Sequence, residues 1–253
     1  MHSYTCAGRA RLGVTLCQSL DDMKIDTKFD FRSAAGRKDP DVYSPTLRRY
    51  HQILWSKPLL SGEMFELSTS TPGAYLHHHS GLGEFVLTSD SVIVSFRSWK
   101  SMRSIIEQVP DHELDAFQAA SYTMGAMMVF PGNRVDGKAT INGARGLTRS
   151  IADRLDLTLE CIRRHYADRD SPLTATLDRY GDFFALFGDF AGYVDFFLLD
   201  DLVDDALMVK YFMDFDDFRP PSVPRNLATY LEYRRRSLDF VWARNERIDR
   251  LSR

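Results

Sequence analysis

The residues best suited to chemistry lie between Gly132 and Tyr166, in the stretch GNRVDGKATINGARGLTRSIADRLDLTLECIRRHY. Arg134, Lys138, Arg145 and Arg149 punctuate a loop rich in glycine and asparagine that runs into a charged helix expected over about residues 148–167. Glycines let a ligand approach the backbone, and the free N–H groups of a helix start favour anions, so the junction suits phosphate. Asn142 would orient such a ligand and Arg163 would add a cation. At about 100° per residue, Arg149, Asp153, Asp156, Glu160 and Arg163 form one stripe of that helix, while Ile151, Leu155, Leu159, Ile162 and Tyr166 form an apolar face. Asp153, Glu160 and His165 are the candidates for a hydrolytic or transfer step on the bound ligand. Asp156 and Glu160, four residues apart, repel each other unless Arg163, Arg164 or a metal balances them. A competing reading makes the same charges structural ion pairs in a non-catalytic interaction module, whose protein partner would dock on the C-terminal helix.

More specific motifs are approached and missed. Gly132 to Ala139 comes within one residue of the P-loop pattern GxxxxGK[ST], but Ala139 stands where the motif needs a hydroxyl on magnesium. Asn142-Gly143 and Gly146 are also expected to interrupt the helix that a P-loop opens. Phe130-Pro131-Gly132-Asn133-Arg134 resembles the phosphate loop of Fic-type AMP transferases without the upstream histidine, and Arg244-Asn245 resembles the RNxxxH element of HEPN-type ribonucleases with Asp249 in place of histidine. His77 and His79 would share a strand face at a chelating spacing, with Glu84 or Asp90 as a third ligand, but no distant Cys or His partner completes a zinc set and no metal is assigned. Cys161 and His165 could meet at i, i+4, yet nothing near them supplies an activated thiolate or an oxyanion donor. No cofactor can be read from these residues.

The elements that position these groups follow from pattern. Ser44-Pro45 reads as a cap and first turn, with Leu47, Tyr50, Ile53 and Leu54 on one face of a helix over 45–55. EMFEL, AYLHHH, GEFVLTS and SVIVSFR are short β-favouring runs divided by turn residues, the basis of a small antiparallel sheet. Asp111 is expected to cap a helix carrying Leu114, Phe117, Tyr122 and Met124, and the apolar run Met127 to Phe130 stops at Pro131-Gly132. Phe183, Phe190 and Phe197 recur every seven residues and predict one long aromatic helix over about 173–203, with a last helix over about 226–250. The fold class expected is α+β, helix-rich, with the sheet in the first half and one globular domain over 23–253. Residues 1–22 are expected to be a non-native or disordered extension, with the chain starting at Met23.

A chain of 253 residues, 44% hydrophobic and 26% charged, can bury a sizeable core. Its net charge of -3 argues against a general nucleic-acid coat or a polybasic membrane binder and confines any anion site to a local patch. Cys6, Cys17 and Cys161 show no disulfide or zinc spacing, and no apolar segment is long enough to cross a membrane. These features point to a cytoplasmic protein.

The phrases LRRYHQILWSKPL, LGEFVLTSD, TINGARG, DRLDLTLECIRRHY, YGDFFALFGDF and GYVDFFLLDDLV resemble an uncharacterised bacterial family classed as a domain of unknown function. The resemblance covers about Met23 to Ile248 and implies a bacterial cytoplasmic setting without assigning any catalytic residue. The reading carried forward is binding of a phosphate-bearing ligand, a nucleotide or nucleic acid, between Arg134 and Asp153.

Overall fold

A computed structural model describes residues 24–251; the expectations for residues 1–22, for Cys6 and Cys17 and for a start at Met23 lie outside the described residues. Two short helices, α1 (Phe31–Ala34) and α2 (Pro40–Tyr43), lead into α3 (Pro45–Trp55). The Oγ of Ser44 accepts from Leu47 N–H at 3.2 Å, and Pro45 takes the first turn, where a missing N–H leaves no bond unmade. The face predicted for this helix is the one it buries, through Leu47, Tyr50 and Leu54, with Trp55 closing its end.

Strands β1 (Lys57–Pro58) and β2 (Met64–Phe65) make a two-stranded antiparallel ribbon, and β3 (Leu76–Ser80), β4 (Gly83–Ser91) and β5 (Met127–Pro131) make the main antiparallel sheet in that order. β4 is central: Leu87 faces Leu76 of β3 and Pro131 of β5, and Asp90 faces Met128. Strand alternation sends Ser89 to one face, where it meets α3, and Asp90 to the other. Beyond the start of β3, the open edge of β4 is closed by Asp41 of α2, whose Oδ2 accepts from Ser89 N–H at 2.8 Å. Helices α4 (Arg103–Ile106) and α5 (Asp111–Ala120) precede β5, and α6 (Ile141–Leu147), α7 (Leu155–Tyr166), α8 (Thr174–Leu177), α9 (Gly181–Ala185), α10 (Phe190–Phe196) and α11 (Leu227–Leu251) follow it. The architecture is α+β, with every strand complete by Pro131, and one apolar cluster runs from Ile25 to Ile248.

Several local expectations are corrected. The run SVIVSFR leaves the sheet after Ser91 and turns at Phe96, whose φ is 59°, while Val92, Ile93 and Phe96 still bury their side chains. Its place is taken by Met127–Pro131, an apolar run buried at every position. Asp111 is the first residue of α5 and Pro110 its cap, and the helix stops at Ala120, short of Tyr122 and Met124. The expected 148–167 helix begins only at Leu155, and the loop before it holds α6, which forms despite two glycines because Thr140 caps it and Ile141, Ala144 and Arg145 are buried.

The aromatic segment is three short α-helices and two single turns rather than one long helix. A long helix would turn Phe183, Phe184, Phe187, Tyr193, Phe196 and Phe197 to all sides at once, and breaks at Leu186–Asp189 let every ring pack inward. Asp189 restarts the chain by accepting from Gly192 N–H at 2.8 Å, and a Cβ on Gly192 would lie 2.1 Å from the Phe187 carbonyl oxygen.

The long α11 matches its predicted span closely and is stapled to the sheet by the Arg244-Asn245 pair. Arg244 is wholly buried and donates to the carbonyls of Gly125, Met127 and Phe197 at 3.0, 2.9 and 2.9 Å, with burial pulling its pKa down to about 9. Asn245 accepts from Gly125 N–H at 2.7 Å. These bonds satisfy backbone groups that the turn into β5 would otherwise leave unpaired.

Candidate functional site

The sequence-predicted residues separate into three places. Arg134 and Lys138 are exposed on the turn after β5, where Lys138 N–H closes the turn on the Val135 carbonyl at 3.0 Å, and Arg149 is exposed beyond α6. Glu160, on α7, is buried between Arg163 and Arg164, with the Arg163 Nε at 2.8 Å and the Arg164 Nε at 2.9 Å. Burial pushes Glu160 up, but the two guanidinium hydrogen bonds and charges outweigh it and hold the carboxyl below its ordinary range. His165 lies ten residues past the start of α7, about 15 Å along the axis, and its Nδ1 is 3.3 Å from Asp178. Glu160 and His165 therefore do not join Asp153 in one constellation.

Asp153, Arg145 and Asn142 do come together, and Asp90 of β4 joins them. Arg145 is fully buried: its Nε donates to Thr158 Oγ1 at 2.9 Å, its Nη1 to Asp90 Oδ2 at 3.3 Å and Asn142 Oδ1 at 3.5 Å, and its Nη2 to the Asp153 carbonyl at 2.9 Å. Asp153 Oδ1 also lies 3.2 Å from Nη2, close enough for charge attraction but outside hydrogen-bond geometry. One guanidinium thus serves two carboxylates. Each keeps part of its side chain accessible, 36% for Asp90 and 30% for Asp153.

Both face a cleft of about 950 Å³ lined also by Arg32, Arg37, Arg97, Trp99 and Tyr122. Burial pushes Asp90 up to about 7 against the pull of Arg145, and the neighbouring Asp153 charge adds to the rise. Asp153 is raised for the same reason, burial exceeding what half a share of Arg145 returns. The backbone here is held in the left-handed region at two consecutive residues, Ala152 (φ 52°) and Asp153 (φ 61°), a conformation that costs energy in a non-glycine residue. What holds it is the clamp on Arg145, which takes the Asp153 carbonyl and returns its own to Asp153 N–H at 3.2 Å.

On the far face of β4 lies a set that sequence reasoning missed. Trp55 Nε1–H donates to His51 Nδ1 at 3.0 Å, and His51 Nε2 lies 2.9 Å from Ser89 Oγ. An indole nitrogen only donates, so His51 Nδ1 is bare and Nε2 carries the proton. His51 then donates to the serine and cannot take its proton. Burial, aided by the positive charge of Arg244, drives His51 down to about 3 and keeps it neutral. This is a tether between α3 and the sheet, not a nucleophile and its base. Cys161, whose thiol burial pushes up to about 12, is equally unsuited to nucleophilic chemistry.

His77 and His79 share a strand face as expected, their rings 6.2 Å apart, while His78 stacks on Phe65 in the core at 4.3 Å. His77 pairs with Glu84 across the strands at 2.9 Å, and among the described residues no three His, Cys, Asp or Glu side chains gather in a metal-holding group. Also among the described residues, no helix is long and apolar enough to cross a membrane.

The family model of DUF6994, a family of unknown function, matches residues 25–248. The chain belongs to this family. The DUF6994 match covers nearly the whole described structure, so the sheet, the Arg145 cluster and α11 as far as Ile248 lie within it. No curated protein and no solved structure matches the chain.

Sequence reasoning reached Asp153, Arg145 and Asn142 through their crowding near a helix start. It did not reach Asp90 as their partner, 55 positions away from Arg145, nor Arg32 of α1, Arg37 of the turn after it and Arg97 of the segment after β4. Ser89-Asp90 reads in the sequence as a turn dividing two β-favouring runs, but the structure carries β4 straight through it to Ser91 with Asp90 opposite Met128, and a carboxylate inside a strand must face either water or a cation.

Proposed function

We propose that this protein binds a phosphate-bearing ligand, of the nucleotide class, in the cleft above Asp90 and Asp153, and that these carboxylates act on it as general acid and base in a hydrolytic step. The observation that carries the reading is the shared guanidinium: two carboxylates on one buried arginine, each partly open to the same cleft. Such a pair resists double ionisation, so near neutral pH one member keeps a proton to give while the other is free to take one. Arg32, Arg37 and Arg97 are the cations that line the cleft. Arg145, wholly enclosed, positions the carboxylates and does not touch the ligand. A bacterial cytoplasm is the setting this reading adopts, in keeping with the sparse cysteines, which show no disulfide spacing in the sequence.

The test is calorimetric titration of AMP, ATP and a short oligonucleotide at low and high salt, followed by product analysis. Wild type binds at least one of them with an affinity that falls as salt rises, as phosphate contacts require. Asp90→Asn lowers turnover by on the order of 100-fold, the worth of a general acid or base. Absence of binding by every phosphate compound rejects the reading.

The rival is an interaction module in which the Arg145 cluster is a staple. It draws support from the completeness of the clamp, which ties β4, α6, the Ala152-Asp153 turn and α7 together. Trp242 of α11, 46% exposed, would then mark the partner surface. Under that reading Asp90→Asn and Asp153→Asn alter stability alone.

A further inference from the structure

We infer that the cleft reads a 5-phosphorylated ribose, free or within a nucleotide, with the vicinal sugar hydroxyls on the open oxygens of Asp90 and Asp153 and the phosphate on Arg32 and Arg37. This rests on the phosphate-ligand reading above and goes further by naming which part of the ligand meets which wall.

The argument starts from charge. A phosphate brought to the cleft floor would meet two carboxylates that already compete for one guanidinium, and like charges at contact distance repel strongly where water is scarce. A neutral group that donates hydrogen bonds meets the opposite situation. Asp90 commits Oδ2 to Arg145 and takes a backbone hydrogen bond from Ser91, and Asp153 turns its buried Oδ1 toward the same guanidinium; the accessible parts of both side chains keep acceptor capacity toward the cleft. Two acceptors gathered beside one guanidinium, Asp90 by a hydrogen bond and Asp153 by its backbone carbonyl and charge attraction, suit two donors held side by side, which is what a vicinal diol presents.

The anion must then sit elsewhere in the cleft. Arg97 is committed to Asp111 and Asp115. Arg32 and Arg37 have no carboxylate within salt-bridge distance among the described residues, and both line the cleft. Arg32 is half-buried with its guanidinium 5.2 Å from the Tyr122 ring centroid, a contact that leaves its hydrogen-bonding edge unused. Arg37 follows directly on Gly36, both with positive φ of 63–64°, in a turn closed by Arg37 N–H on the Arg32 carbonyl at 2.8 Å, which keeps the two arginines neighbours. A ligand with an anion at one end and paired hydroxyls at the other is complementary to this division, and neither inorganic phosphate nor a neutral sugar is.

Calorimetry on the full chain at fixed ionic strength, with ribose 5-phosphate, 2-deoxyribose 5-phosphate, inorganic phosphate and AMP as probes, tests the assignment. Ribose 5-phosphate is expected to bind about tenfold or more tighter than inorganic phosphate and than the 2-deoxy sugar, the loss that follows one unmade hydrogen bond to a charged acceptor. Asp90→Asn removes that preference and leaves inorganic phosphate unaffected; Arg32→Ala with Arg37→Ala weakens every phosphorylated probe without moving Tm, and Arg32→Lys serves if the double variant misfolds. AMP binding tighter than ribose 5-phosphate makes the nucleotide the source, and equal binding makes it the free sugar phosphate. If the phosphorylated probes bind with no preference for the diol, the ribose assignment falls and the phosphate reading stands. If AMP binds and ribose 5-phosphate does not, the assignment falls in favour of a base contact. If no probe binds, both fall.

Discussion

Arg145 and Glu160 each centre a charged cluster in the same stretch of chain, and their stoichiometries are opposite. At Arg145 one guanidinium is divided between Asp90 and Asp153; at Glu160 one carboxylate is held by Arg163 and Arg164. Between them, Arg154 and Asp156 pair one to one in the core, where Asp156 also accepts from Phe212 N–H at 2.9 Å. A surplus of cations pulls the lone carboxyl of Glu160 down, while a surplus of carboxylates lets burial win and pushes Asp90 and Asp153 up. Residue types alone make both clusters equal candidates for chemistry. Counting partners makes the first a carboxylate-rich pair beside a cleft, the proton store proposed above, and the second a closed ion pair that fixes the end of α7.

The sharpest way to break the contrast is to remove each centre. Arg145→Met leaves two half-buried carboxylates without their shared cation and the Asp153 carbonyl without its donor, and costs about 2–4 kcal/mol after solvent screening of the open carboxylates, read by urea denaturation. Glu160→Gln leaves two partly exposed arginines that solvent can still reach, and costs about 1–3 kcal/mol. Its pH signature has a definite sign. The Glu160 pKa is lowered, so its contribution is present above the ordinary value of 4.5 and is lost as pH falls through the native one. The variant loses that acid-side slope.

Asp90→Asn should change stability by less than about 1 kcal/mol below about pH 4, where the wild-type carboxyl is protonated folded and unfolded alike and Asn still accepts from Arg145. Here the sign reverses. Asp90 is raised from 3.8 to about 7, so the native state holds a proton that the unfolded chain releases; the stability it contributes is full below 3.8 and lost as pH rises through 7. Wild type therefore loses stability between pH 4 and pH 7 at this site, and Asp90→Asn flattens that limb of a Tm-versus-pH series. The smallest effect belongs to Arg134→Ala with Lys138→Ala. Both residues are exposed, so stability shifts by less than about 0.5 kcal/mol and ligand affinity stays unchanged; a salt-dependent loss of affinity would return the anion site to the loop.

The sequence made the local elements legible where one residue type settles them. Ser44-Pro45 marked α3, and alternation with turn glycines marked β3 and β4, because caps and turns act over a few residues. The aromatic segment misled because a seven-residue recurrence of phenylalanine reads as helix whether or not the chain breaks at Gly188 and restarts at Asp189. Arg145 was legible as a cation near a phosphate-like junction, but its burial was not: only the contact with Asp90, from a strand 55 residues away, turns it from a surface contact into a clamp. Charge stoichiometry is a tertiary quantity. Arg163 and Arg164 announced themselves as partners of Glu160 by helical spacing, whereas Asp153 and Asp90 share a partner only once β4 and the Ala152-Asp153 turn are folded together.

The central claim is that Asp90 and Asp153 share one arginine and hold a proton near neutrality at the floor of an accessible cleft. Titration of the side-chain carboxyl ¹³C resonances across pH 3 to 9 tests it most directly. The account predicts a carboxyl step close to pH 7 that disappears in Asp90→Asn, while the Glu160 resonance stays ionised down to acid pH. If Asp90 and Asp153 instead both titrate near their ordinary value of 3.8, the pair is a fully ionised staple and the cleft holds no proton to transfer.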